Sequence, residues 1–355
     1  MSSMTRSDVN HGKSVSMKDV ARVAGVALGT VSNVLNNPEL VSEATKARVQ
    51  AAIDSLGWVR NESARQLRAG RSSAIGLVVL DVGNPFFADV ARGAEDVVYE
   101  RGMSMQIGNS DQRPDREARL IEDLEQQRVR GVLLAPVGDA RRHVERLNQR
   151  GVAVVLVDRV GDDADCCSVA VDDAHGARVA INHLLDVGHR RIALVGGTTD
   201  LMQVRDRRAG AEAALTESGL PATLLVVSTP ALDLANGIAA AAQLAVLPDG
   251  ERPTAVFALN DLLAIGLLQG FMTAGLRVPK DIALIGYDDI AFAAAAAVPL
   301  SSVAQPRQAL GGRAAELLLA EIDDQESGNP HTHVHERFAP ELVVRKSSAA
   351  RRPKD

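Results

Sequence analysis

Apolar residues near the start of the chain recur with the period of a helix. Met17, Val20, Ala21 and Ala24 fall at i, i+3, i+4 and i+7, which predicts one buried helical face. Gly25 interrupts that stripe. Ala27, Val31, Val34 and Leu35 form a second one, ended by Asn36-Asn37-Pro38. Val49, Ala52, Ile53 and Leu56 mark a third, which opens after Ser42 with Glu43 in its first turn and stops at Gly57. Two short helices joined by a glycine-containing turn and braced by a third predict a helix-turn-helix. The same spacing also fits a small helical bundle with a solvated outer face.

The texture then changes. NESARQLRAGRSS, starting at Asn61, is polar and basic and reads as a linker with helical potential. Beyond it, AIGLVVL (74–80), GVLLAP (131–136), VAVVLVD (152–158), RIALVGG (191–197), TAVFALN (254–260) and DIALIGYDD (281–289) have the length of buried strands. Amphipathic segments of helical length separate most of them. Alternating β and α units predict parallel sheets with helices on both faces, and their number predicts two doubly wound lobes. The expected organisation is a leader over 1–15, a helix-turn-helix domain over 16–60 and a linker over 61–72. A body over 73–346 and a tail over 347–355 follow. Within the body, lobe 1 is expected over about 73–172 and 303–331, and lobe 2 over about 173–301 and 334–346.

Charge separates the same regions. The net charge is −6, yet residues 1–72 carry ten Lys plus Arg against six Asp plus Glu, a balance of +4 that leaves −10 for the rest. A basic head on an acidic body points to a polyanion met by the head alone. The opening MSSMTRSDVNHGKSVS has no apolar core of a secretory signal, so a cytoplasmic protein is expected. The two cysteines, Cys166 and Cys167, are adjacent. Neighbours cannot adopt ordinary disulfide geometry without strain, so reduced thiols on a buried strand are expected.

In a helix-turn-helix the second helix enters the major groove, and here it is ALGTVSNVLN (27–36). Val31, Val34 and Leu35 must face inward. That leaves Leu28, Gly29, Thr30, Ser32 and Asn33 outside. Thr30 and Ser32 can bond phosphate or base edges. Asn33 carries the amide for a bidentate contact to adenine, worth about 1–3 kcal/mol of discrimination. Lys18 is placed for a phosphate.

The run MKDVARVAGVALGTVSNVLNNPELVSEATKARVQAAIDSLGWVRNESARQLRAGRSSAIGLVVLDVGNPFF closely resembles the head, hinge and first strand of LacI/GalR-family regulators, the lactose-repressor type. The likeness continues in VDDAHGARVAINHLLDVGHRRIALVGG, ALNDLLAIGLLQGF, VPKDIALIGYDD and PELVVR, and so spans about 16–346. It implies a periplasmic-binding-protein-like body. It also implies a homodimer that places two recognition helices in successive major grooves of a palindromic operator. A hinge helix over 61–69 would enter the minor groove, where Leu67 matches a wedging leucine and Asn61 and Ala64 match other DNA-touching positions. Such a wedge unstacks one base step, at a cost of a few kcal/mol offset by new contacts. Two departures stand out. Ala27 replaces the serine that usually caps the recognition helix. Asn33 stands where arginine is common, so operator preference does not transfer from relatives.

Doubly wound sheets bind ligands beyond the carboxyl ends of their strands. Asp158, Asn260 and Asp288 sit at such ends, and Arg207 lies just inside a helical segment. A carboxylate, an amide and a guanidinium together suit several hydroxyls or an anionic group. By resemblance, Phe86, Phe87, Asp158, Arg207, Asn260, Asp288 and Gln305 match effector-pocket positions. The phenylalanines could equally be core, Arg207 a surface ion pair, and Asp261 and Asp289 helix caps. Leu232 occupies the place of an aromatic stacking platform in some sugar-binding relatives. A sugar is the leading ligand class, with a nucleobase or other metabolite as the alternative.

HTHVH sets His331, His333 and His335 at alternating positions. Alternating histidines can bind metal, but no cysteine or acidic cluster adjoins them in sequence, so a polar loop and no metal are expected. No cofactor is expected. The chain has no GxxxxGK[ST], GxSxG or HExxH motif, and no strand-linked GxGxxG, which argues against an enzyme. A periplasmic receptor is disfavoured by the helix-turn-helix. No leucine heptads follow Pro340, so a dimer is expected rather than a coiled-coil tetramer. The reading is a transcriptional repressor whose DNA grip is set by a small molecule closing the two lobes.

Overall fold

The computed structural model describes residues 15–58, 72–161, 165–197 and 201–348. The chain divides into two units, Met1–Gly70 and Arg71–Asp355.

In the first unit, α1 (Met17–Ala24), α2 (Leu28–Asn36) and α3 (Glu43–Leu56) are the helices that the periodicity predicts. Local signals bound each of them. The Ser16 N–H and Oγ both donate to Asp19 Oδ2, at 3.0 and 2.6 Å, and fasten the start of α1. Gly25 and Gly57 end α1 and α3 at φ 63° and 55°, where a Cβ would be strained. Val20, Val31 and Val49 are fully buried, and Ala21, Ala24, Ala52 and Trp58 complete the core, with Val34 and Leu35 half-buried against it. Helix α2 starts at Ala27 with no side-chain cap, as the substitution implies.

The second unit begins with β1 (Ala74–Val79), α4 (Pro85–Glu100), β2 (Ser104–Asn109), α5 (Pro114–Gln126), β3 (Gly131–Leu134), α6 (Arg141–Asn148), β4 (Ala153–Val157) and β5 (Cys167–Val171). The chain then crosses into α7 (Asp173–Asp186), β6 (Arg191–Gly196), α8 (Met202–Ser218), β7 (Thr223–Ser228), α9 (Leu234–Ala245), β8 (Ala255–Ala258), α10 (Asp261–Thr273), β9 (Ala283–Asp288), α11 (Ala291–Ala295) and β10 (Ser301–Ala304). It returns through α12 (Arg307–Ser327) and β11 (His335–Phe338), and ends with β12 (Glu341–Val343). Two six-stranded sheets result, ordered β11-β5-β4-β3-β1-β2 and β12-β10-β9-β8-β6-β7. All pairings are parallel except β10 with β12.

The lobe boundaries need correction. β10 runs to Ala304 in the second sheet, so lobe 2 extends past 301. His335–Phe338 pairs with β5 in the first sheet, although 334–346 was expected wholly in lobe 2. The last crossing between lobes falls after β11 and not before it, and β11 is too short and polar to be recognised as a strand. β1, β3, β4, β6, β8 and β9 are buried on both faces, apart from exposed Arg191 at the head of β6, hence their unbroken apolar runs. β2 and β7 are half-exposed sheet edges and carry no such run.

Helix α12 lies unusually close to α4. A Cβ on Gly311 would stand 1.9 Å from the Val90 carbonyl oxygen, and one on Gly93 2.0 Å from that of Gln308. Only glycine permits this approach, which seats α12 against lobe 1. Cys166 and Cys167 are buried free thiols, in line with the expectation. No described helix is long and apolar enough to cross a membrane.

Candidate functional site

The carboxyl ends of the parallel strands in both lobes face one cleft, with about 490 Å³ of open space including its mouth. Asp158 follows β4, Asp288 ends β9, and Asn260 follows β8. Asp158 and Asp288 hold φ 56° and 104°, in the left-handed region that non-glycine residues rarely adopt. Such strain tends to collect at functional sites.

Arg207 forms the floor. Its Nε donates to Asp173 Oδ1 at 2.7 Å, Nη1 donates to the Leu259 carbonyl, and the guanidinium stacks 3.7 Å above the Tyr287 ring. Nη1 also stands 3.9 Å from Asp288 Oδ1. Burial opposes the cation, but Asp173, Tyr287, Asp288 and Asp158 outweigh it and hold the pKa above its ordinary value. Among the described residues Nη2 has no hydrogen-bond partner, which leaves donors for a ligand.

The two strand-end aspartates are raised to different extents by the same surroundings. Burial and the nearby Asp173 carboxylate push Asp158 up to about 8. Burial raises Asp288 to about 6, opposed by Arg207 and by hydrogen bonds from Asn84 and Gln305. Gln203 Nε2 donates to Asp158 Oδ2 at 2.9 Å and to its carbonyl at 2.8 Å. Asp158 Oδ1 is buried with no hydrogen-bond partner among the described residues. A protonated carboxyl there can both donate to and accept from a bound hydroxyl.

Hydrogen bonds run between the lobes at this level. Gln203 of lobe 2 reaches Asp158 of lobe 1, and Asn84 Nδ2 of lobe 1 donates to Asp288 Oδ2 of lobe 2 at 3.3 Å. Arg307 at the start of α12 donates from Nε to Asp89 at 2.8 Å and from Nη1 to the carbonyls of Asp288 and Asp289. The cleft walls and the lobe contacts are therefore the same residues.

Phe86, Phe87, Asp158, Arg207, Asn260 and Asp288 all line the cleft. The phenylalanines are also core, 2% and 6% exposed, and meet edge to face with centroids 4.9 Å apart. Asn260 is occupied as the cap of α10: Oδ1 accepts from the Leu263 N–H and Nδ2 donates to the Leu232 carbonyl. Asp261 is no cap but accepts from Ser302 Oγ and the Ile290 N–H, and Asp289 pairs with Arg345. Gln305 stands behind the wall and donates to Asp288 Oδ1 at 2.8 Å. Leu232 lines the cleft with an aliphatic side chain in place of an aromatic platform. Sequence reasoning missed Asn84, Asp173, Gln203 and Tyr287. Asn84 had a readable signal, a polar residue capping a helix after a strand, with Pro85 at its first position. Gln203 had none.

On the first unit, Lys18, Leu28, Gly29 and Asn33 are exposed, and Thr30 and Ser32 are half-buried. Ser32 Oγ accepts from Asn36 Nδ2 at 3.1 Å. Leu28, 41% exposed, is an apolar side chain left partly open to solvent at the first turn of α2. Asn61, Ala64 and Leu67 lie outside the described residues.

Residues 16–61 match the family described as bacterial regulatory proteins, lacI family, and residues 181–348 match a periplasmic binding protein-like domain. The chain is 37% identical over 308 residues to the ribose operon repressor of Escherichia coli (strain K12), covering 86% of this chain and 92% of that one. It is 33% identical over 332 residues to the HTH-type transcriptional repressor PurR of Photobacterium profundum, covering 93% and 98%. Among solved structures it is similar to the Lac repressor dimer bound to operator and the anti-inducer ONPF, with a TM-score of 0.80, 26% identity, and 95% and 99% of the two chains covered.

Proposed function

The chain belongs to the lacI family of bacterial regulatory proteins, and from that membership we propose how it works as a DNA-binding transcriptional repressor under small-molecule control. It is a regulator and not an enzyme. α2 reads the major groove through Leu28, Gly29, Thr30, Ser32 and Asn33, while Lys18 neutralises a phosphate. Asn61, Ala64 and Leu67 enter the minor groove between two half-sites. The working unit is a cytoplasmic homodimer on a palindromic operator. The edge strands β2 and β7 leave Ile107 and Leu225 54% and 42% exposed, apolar positions that a second copy can cover.

The observation that carries the ligand reading is Asp158 Oδ1, buried in the cleft without a hydrogen-bond partner among the described residues. A buried polar atom left open costs about 1–3 kcal/mol unless something fills its valence. A sugar suits the site: Asp158, Arg207 and Asp288 meet hydroxyls while Phe86 and Phe87 cover an apolar ring face. Because Asp158 and Asp288 also hold the lobes together through Gln203 and Asn84, a ligand that engages them changes lobe closure.

The test selects a duplex from random sequence with the full-length protein and measures its anisotropy-detected affinity against sugars, ribose first, and against nucleobases. One ligand should shift operator affinity about 5- to 150-fold. Asn33→Ala and Leu67→Ala should weaken operator binding and spare most of the affinity for random DNA. A protein that prefers no duplex over random DNA would sink the reading.

A further inference from the structure

The loop read as a plain polar segment closes over a buried thiol. Cys167 at the start of β5, Glu321 on α12, and His331 and His333 in the segment before β11 each offer one donor atom, all within 4.8 Å of one another. Cys167 Sγ lies 3.3 Å from His331 Nε2 and 3.9 Å from His333 Nδ1. A tetrahedral ion with bonds of about 2.3 Å to sulfur and 2.0–2.1 Å to imidazole nitrogen sets S and N about 3.5 Å apart. The observed separations bracket that distance.

The outer groups are arranged for the same purpose. His331 Nδ1 is 2.7 Å from Asp324 Oδ2, and His333 Nε2 is 3.1 Å from Asp165 Oδ1. Each carboxylate holds the proton on the ring nitrogen remote from the thiol and turns the other lone pair inward. Metal-binding histidines show this carboxylate partnership as a rule. The Val334 N–H donates to Cys167 Sγ at 3.3 Å, which fits sulfur acting as an electron-rich ligand. Glu321 is 3% exposed, and its Oε2 is buried with no hydrogen-bond partner among the described residues. A carboxylate left open beside a thiol is costly, and a cation resolves it. The side chains of His331 and His333 are 13% and 25% exposed, so an ion has a way in.

We propose that Cys167, Glu321, His331 and His333 form a four-coordinate site for a zinc-class divalent ion. One thiolate, two imidazoles and one carboxylate are the donors that Zn²⁺ takes in tetrahedral array; Mg²⁺ and Ca²⁺ want oxygen alone. Four protein ligands leave no open position, so the ion is structural. The four residues are separate from those lining the cleft: Cys167 pairs with Val155, three residues before Asp158 at the cleft end of β4. The ion ties α12, β5 and the approach to the short edge strand β11, which pairs with β5 over four residues, into one block.

A metal at this site runs against the expectation of none, which follows from the absence of a cysteine or acidic cluster near the histidines in sequence. Cys167 and Glu321 reach them only through the sheet and α12.

The test uses full-length protein freed of metal with chelator, then titrated with Zn²⁺ or Co²⁺ alone. Zn²⁺ should bind at one ion per chain and raise the thermal unfolding midpoint. Co²⁺ should produce the strong ligand-field bands of a tetrahedral complex and a near-ultraviolet thiolate-to-cobalt band. Cys167→Ser should abolish the thiolate band, while Cys166→Ser keeps the whole spectrum. His331→Gln and His333→Gln alter partly exposed side chains and should fold, which metal-free unfolding curves check; each should lose at least 100-fold in affinity. Asp324→Asn should lose about 10- to 100-fold by releasing His331. Failure of the wild type to bind one Co²⁺ per chain, a spectrum without the thiolate band, or undiminished binding by both glutamine variants overturns the proposal.

Discussion

Arg207 and Asp173 form an ion pair 2.7 Å long in which both side chains are only 6% exposed. Both residues belong to lobe 2, on α8 and α7, so the pair fixes the guanidinium within one lobe at the wall of the cleft. Charge at the base of the cleft is unevenly matched: one guanidinium serves Asp173, Asp288 and Asp158. The raised pKa of the two strand-end aspartates follows from that shortage together with burial.

Arg207→Lys keeps the charge but loses the planar fork that spans Asp173 and the Leu259 carbonyl. Ligand-induced change in operator affinity should fall to near nothing, while ligand-free operator affinity stays within a few-fold of the parent. Arg207→Ala leaves Asp173 buried and unpaired and should cost about 3–5 kcal/mol in denaturant unfolding. An unaltered ligand response in Arg207→Lys would remove this residue from the effector site.

Asp158 makes stability depend on pH. Its folded pKa, about 8, lies above the unfolded value, so the folded state binds the extra proton. The stability this contributes is complete below about pH 4 and is lost as pH rises towards 8. Asp288, at about 6, acts with the same sign over the lower part of that window. Asp158→Asn should therefore flatten the decline between pH 6 and 8, gaining on the order of a few kcal/mol relative to the parent at pH 8. Unfolding free energies of the two proteins measured across that range decide it; parallel curves would refute the assignment.

The uncapped recognition helix offers a gain. Ala27 already has the extended backbone of a cap, φ −68° and ψ 153°, but no side-chain acceptor for the free N–H groups of α2. Ala27→Ser should stabilise the first unit by about 1 kcal/mol. Trp58, the single tryptophan of the chain, is buried in that unit and reports its unfolding by fluorescence. A midpoint unchanged or lowered by the serine would show that another group already satisfies those donors.

Elements bounded by local signals are legible along the chain. The three head helices stop at Gly25, Asn37 and Gly57 because glycine or an Asn-Pro step ends them wherever they lie. The central strands β1, β3, β4, β6, β8 and β9 are legible as apolar runs, whereas β5 and β10, though interior and largely buried, are not. Asp158, Asn260 and Asp288 were legible as cleft residues, since a doubly wound sheet always exposes the carboxyl ends of its strands to a ligand.

What remained belonged to tertiary structure. Edge strands β2, β7 and β11 carry mixed sequences, because one face or one side meets water, and only pairing defines them. Asp173 and Gln203 join Arg207 and Asp158 through the packing of α7, α8 and the strand ends, and no spacing along the chain encodes that. The same holds for Cys167 and His331, 164 positions apart. A contact between distant residues depends on how whole elements pack, and the local pattern of apolar and polar positions carries no record of it.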